Sequence, residues 1–159
     1  MHYDVISADG HIDLIWLPPD LFTSNASAAL RERMPYVVDG PAGKQWVSRN
    51  GAKFGLMNGM GSAGRQYVPG QIHRSDRMAS TGLYEDGKNG IRRLTVPELR
   101  LKDQDRDGVQ AEVIYGILGA SMRLNDHEAA AEVLRIYNEW LADFCRASPE
   151  RLIGLANIP

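Results

Sequence analysis

One cysteine, Cys145, stands in 159 residues, so no disulfide can form within the chain. No run approaches the ~18 apolar residues of a membrane span. The opening residues, MHYDV, lack the basic and then apolar stretch of a secretory leader. There is no basic block either: 18 Lys and Arg face 20 Asp and Glu, for a net charge of −2. That argues against nucleic acid as the main partner, because phosphate binding needs clustered cations. These absences together suit a cytoplasmic protein with no membrane partner. What is present is an apolar fraction of 43% and a charged fraction of 24%, the composition of a globular chain long enough for one domain with a core.

The most informative stretch is YDVISADGHID, residues 3–13. Residues 3–8 read as a short buried strand that runs straight into Asp9, Gly10, His11, Ile12 and Asp13. Two carboxylates and an imidazole occupy every second position. If strand geometry persists past Ala8, all three point to one face. Carboxylate oxygen with imidazole nitrogen is a ligand set for zinc, manganese or iron(II). The competing reading is a solvated loop whose Asp side chains make turns.

Along the chain, Leu14, Ile15, Trp16 and Leu17 precede two prolines that stop any helix. This tetrad either packs over the mouth of a site, with Trp16 toward substrate, or anchors the loop in the core. Ser24 or Asn25 could cap a helix over residues 26–33. Residues 45–56 read as a hairpin about a type I′ Asn50-Gly51 turn, with Val47 opposite Phe54 and Ser48 opposite Lys53. From residue 58 to 90 periodicity dissolves, and 11 of the chain's 16 glycines lie between Gly40 and Gly90. Such a loop is either a lid or a solvated segment. It carries His73, Arg74, Arg77 and Tyr84, and as a lid it would offer a cation to a substrate carboxylate. It should also be the most mobile internal segment.

Thr95, Pro97 and Glu98 look like a capping box opening a helix that Gly108 ends. Residues 109–115 read as a strand, 116–124 as a loop, and Asn125 with Glu128 as a second capping box. The helix that follows carries Ala130, Leu134, Tyr137, Leu141 and Phe144 on one face. His127, in its first turn, reads as solvated. Residues 152–158 give a third strand. Strand, insertion, helix, strand, helix, strand is the order of parallel βαβ units.

Three runs resemble the amidohydrolase superfamily, specifically the branch that includes aminocarboxymuconate semialdehyde decarboxylase and the resorcylate decarboxylases. They are VISADGHIDLIWLPPDLF, ELRLKDQDRDGVQAEVIYG and IYNEWLADFCRASPERLIGLANIP. That branch opens with a metal-binding strand end, which Asp9 and His11 match; Asp13 stands where many members have a second His. The resemblance implies the α/β fold of a (β/α)₈ TIM barrel, of which residues 1–159 would be the N-terminal part, with an insertion of hairpin plus Gly-rich loop over about residues 36–94. The rest of the barrel would come from the same or another chain.

It further implies a metal-dependent enzyme, with zinc as the metal and manganese or iron as alternatives. Asp9, His11 and Asp13 would be its ligands in this segment. The reaction would be hydrolysis or non-oxidative decarboxylation of a small, carboxylated or cyclic substrate, touched by Trp16, His73 and Arg123. The general acid or base would lie beyond Pro159, so these residues alone would be inactive. A homo-oligomer, a dimer, is expected. The alternative is a non-catalytic partial barrel serving as a structural or partner-binding module.

Overall fold

The computed structural model describes residues 3–57, 82, 85, 86 and 89–159. Strand β1, Ile6–His11, opens the chain. A 3₁₀ turn at Leu14–Trp16 and helix α1, Leu21–Asn25, follow it. Then come β2 (Tyr36–Gly40), β3 (Gly43–Val47) and β4 (Lys53–Leu56). Helix α2 is Pro97–Asp107, β5 is Ala111–Tyr115, α3 is Leu118–Met122, α4 is His127–Cys145 and β6 is Leu152–Gly154.

The strands form two sheets among the described residues. One is parallel, in the order β1-β5-β6; the other is antiparallel, in the order β2-β3-β4. The parallel sheet has the expected βαβ logic: α4 carries the chain from β5 to β6. Its inward stripe of Ala129, Val133, Leu134, Ile136, Tyr137, Leu141 and Phe144 is buried, each large side chain contributing roughly 1.5–3 kcal/mol. The antiparallel sheet joins the same core through Trp46 and Phe54, with Phe22 edge-on to Trp46 at 5.9 Å.

Several local expectations change. The helix expected over 26–33 is instead α1 and a 3₁₀ turn at Arg31–Arg33, because Ala26 is extended at φ −75°, ψ 150°. The chain there is tied to α4: Ser27 N donates to Glu132 and Arg135 donates to the Asn25 carbonyl. The hairpin exists, but Val47 pairs with Lys53 after a register shift, and β2 adds a third strand. The turn is not type I′: Gly51 has positive φ and Asn50 does not. The Asn50 side chain accepts from Ala52 N at 3.1 Å and donates to the Leu124 carbonyl, tethering a wider loop.

Thr95 does not cap α2. Val96 takes that place and Pro97 the first turn, while the Thr95 hydroxyl donates to the carbonyls of Trp16 and Arg92. Gly108 ends α2 in the left-handed region at φ 69°. Residues 116–124 are not wholly loop, since they contain α3. The α4 cap is Asp126, whose side chain accepts from Ala129 N, and Asn125 before it has φ 49°. The third strand is only Leu152–Gly154, although Leu155 N continues the ladder to the Ile114 carbonyl.

Candidate functional site

The carboxyl end of β1 is shaped by a bulge. Ser7 pairs with Glu112 and Gly10 with Ile114, so Ala8 and Asp9 together oppose the single residue Val113. An extra residue shifts the alternation of side chains by one step. Gly10 therefore faces α2, where a Cβ would lie only 2.6 Å from Glu112 Cγ. Its neighbours Asp9 and His11 face the opposite, open side. Their side chains are 90% and 54% exposed, and His11 Nε2 lies 3.0 Å from Asp9 Oδ1. The His11 ring stacks on Tyr115, its pair across the sheet, at 5.6 Å and 27°.

On the helix side of the same strand end is a buried ion pair. Arg100 of α2 and Glu112 of β5 have side chains only 7% and 13% exposed. Arg100 Nε donates to Glu112 Oε2 at 2.8 Å and Nη2 to Oε1 at 2.5 Å. Gln104, one turn further along α2, donates to the same carboxylate at 3.0 Å. Arg100 also reaches the His11 carbonyl from both Nη atoms, at 3.3 and 3.4 Å.

Beyond β1 the chain turns at Asp13, and Asp13 and Arg123 line one cavity of about 120 Å³ with Leu14, Ile15, Phe54 and Ile117. Arg123 follows α3, directly after the carboxyl end of β5. Gly116, also on the cavity, has the Tyr137 ring against it, where a Cβ would lie 2.5 Å from Cε1. The Tyr137 hydroxyl donates to the Tyr115 carbonyl at 3.4 Å, and burial pushes its pKa well above the usual phenol value. It stays neutral and holds the end of β5.

Asp9 and His11 are thus brought together, and Asp13 and Arg123 share the cavity. Among the described residues no group of three His, Cys, Asp or Glu side chains is arranged to hold a metal ion. Trp16 is 4% exposed and belongs to the core with Leu14, Ile15 and Leu17; it does not line the cavity. His73, Arg74, Arg77 and Tyr84 lie outside the described residues, as does most of the proposed lid. Sequence reading gave no role to Arg100, Glu112 or Tyr115, and placed Tyr137 on the buried face of its helix without its bond to β5. A signal existed for the first two: an acid inside the β-branched run AEVIY needs a buried cation, and Arg100 and Gln104 share one face of a helix with few apolar residues.

No family model matches the chain, and no curated protein matches it. Among solved structures, the fold is similar to that of an amidohydrolase from Mycobacterium avium subsp. paratuberculosis K-10, with a TM-score of 0.62 and 14% sequence identity. The similarity covers 98% of this chain and 42% of that one, so the chain spans less than half the length of that protein. At that identity the likeness is one of fold.

Proposed function

We propose that the chain is the N-terminal part of an amidohydrolase-type (β/α)₈ barrel, and that the complete barrel is a metal-dependent enzyme. Its substrate is a small carboxylated or cyclic molecule, and its reaction is hydrolysis or non-oxidative decarboxylation. The observation that carries this reading is the pairing of Asp9 Oδ1 with His11 Nε2 at the carboxyl end of a parallel strand. Barrel enzymes build their sites at that end. The fold likeness to an amidohydrolase supports the same reading.

The donor set fits a divalent ion in part. A carboxylate oxygen and an imidazole nitrogen 3.0 Å apart can both touch one ion at bond lengths of about 2.0–2.2 Å. Zinc suits them, and manganese or iron is acceptable. Asp13, which lines the cavity with Arg123 and is not grouped with Asp9 and His11, is an acid that faces substrate, or a third ligand that would have to reach an ion once one is bound. A divalent ion held there supplies Lewis-acid polarisation of a substrate oxygen. Arg123 pairs with a substrate carboxylate by charge-assisted hydrogen bonds. Leu14, Ile15, Phe54 and Ile117 give the cavity apolar walls for the rest of the substrate. The remaining ligands and the general acid or base come from the rest of the barrel.

The second reading, a non-catalytic partial barrel, is favoured by the lack of a third ligand beside Asp9 and His11 among the described residues. Zinc titration of the full-length protein separates the two. The enzyme reading expects close to one zinc per chain, with affinity falling in His11→Ala by more than the ~10–100-fold typical of an outer-shell change. Full zinc occupancy and activity in His11→Ala would overturn it.

A further inference from the structure

A buried ion pair seldom adds net stability over an apolar pair of the same shape, so Arg100 and Glu112 need another reason. The bonds of Arg100 supply one. Nε holds Glu112 Oε2, Nη1 holds the carbonyls of Leu94 and His11, and Nη2 holds Glu112 Oε1 and the His11 carbonyl again. These five bonds match the five N–H donors of a guanidinium. One side chain thereby ties α2, the turn at Arg93–Thr95, β5 and the last peptide of β1. The Glu112 carboxylate also fills the space that a Gly10 side chain would take, so only a bare glycine fits between Asp9 and His11.

We propose that Arg100 is the positioning residue of the site: through Glu112 and the His11 carbonyl it holds the bulged end of β1 in the phase that turns the His11 imidazole onto Tyr115 and beside Asp9. Lysine cannot replace it. A single ammonium lacks the planar fork that grips a carboxylate and a peptide carbonyl together.

The test is the imidazole ¹³Cε1–¹Hε1 spectrum of the full-length protein at about pH 8, above the ordinary imidazole range. His11 is assigned by its loss in His11→Gln, and Tyr115→Leu marks its position without the ring current of the stacked tyrosine. In Arg100→Lys and in Arg100→Met/Glu112→Leu, the His11 signal should move toward that position or broaden. In Gln104→Met, which removes only one bond to Glu112, it should stay. A His11 signal unmoved in folded Arg100→Lys overturns the proposal. So does a wild-type signal that already coincides with that of Tyr115→Leu, and this outcome depends on no Arg100 variant folding.

A second arm rests on the proposed metal role of His11: Co²⁺ affinity should drop at least about tenfold in Arg100→Lys and stay unchanged in Gln104→Met. If the wild type takes up no Co²⁺, the metal reading fails while the spectrum still decides the positioning role.

Discussion

The Nε of Arg33 donates to Asp126 Oδ2 at 2.7 Å, so one carboxylate both caps α4 and clamps the segment leading into β2. This hydrogen bond, with the Ala129 amide second, lowers the Asp126 pKa from 3.8 to about 2. Glu132 falls from 4.5 to about 2, chiefly through its hydrogen bonds with Arg135. A carboxylate whose pKa is lower in the folded state contributes fully above its unfolded value and loses that contribution as pH falls through the folded one. Stability should therefore decline between about pH 4.5 and pH 2. Urea midpoints across that window should fall less steeply in Asp126→Asn/Glu132→Gln. Equal slopes would remove these two groups from the acid response.

Asp13 is the informative member of the Asp9, His11 and Asp13 set. Asp9→Asn should weaken zinc binding nearly as much as His11→Ala if Asp9 touches the ion, and by only ~10–100-fold if it merely orients the imidazole. Asp13→Ala should match His11→Ala if Asp13 is a ligand. If it faces substrate beside Arg123, zinc content holds and turnover drops. Zinc content and turnover measured on the same preparations distinguish these outcomes.

Arg123 should act on binding more than on chemistry. Losing a charge-assisted hydrogen bond costs about 1.5–3 kcal/mol, or roughly 10–150-fold. Arg123→Ala should raise KM for a carboxylated substrate by about that factor, with a smaller change in kcat. An uncharged analogue should show no such penalty. Equal effects on both substrates would detach Arg123 from carboxylate recognition.

Two glycines near the cavity should behave in opposite ways. At Gly116 a methyl would press on the Tyr137 ring, and overpacking of this kind typically costs about 1–3 kcal/mol. At Gly119, inside α3, an added Cβ meets nothing within 4 Å, and alanine there should be neutral or stabilise by up to about 1 kcal/mol. Thermal melts of Gly116→Ala and Gly119→Ala should move apart from wild type in opposite directions, or only the first should move.

The parallel sheet leaves apolar side chains exposed near its outer strands: Val5 and Ile6 at 49%, Ile153 at 39% and Leu155 at 41%. Open strand edges with such residues invite pairing with another chain. The 159 residues expressed alone should self-associate, and sedimentation should show it. A monodisperse monomer with a sharp, reversible melt would contradict this expectation.

The parallel βαβ order was legible because β5 is rich in β-branched residues and α4 carries an unbroken apolar stripe. Asp9 and His11 were legible because alternation in a strand holds from one residue to the next. What escaped depends on partners distant in sequence. Asn50 stands in a wider turn than type I′, and its amide bonds the Leu124 carbonyl, 74 positions away. Thr95 leaves the α2 cap for the Trp16 carbonyl, 79 positions away. Trp16 could equally have faced substrate or core, and four consecutive apolar residues have no period that decides between them. The Arg100 and Glu112 pair was visible only as two oddities, each of which becomes ordinary once the other is beside it.

The bulge at Ala8 and Asp9 gives the amino-terminal strand an odd-or-even character. Its chemistry depends on a count as much as on residue identity. Pairing the same residues with β5 one to one from Ser7 onward, without the bulge, would leave Asp9, Gly10 and His11 all present, yet reverse their sides and turn the imidazole toward the Arg100 and Glu112 pair. The two-against-one pairing in this short segment is thus a constraint as strict as any side chain.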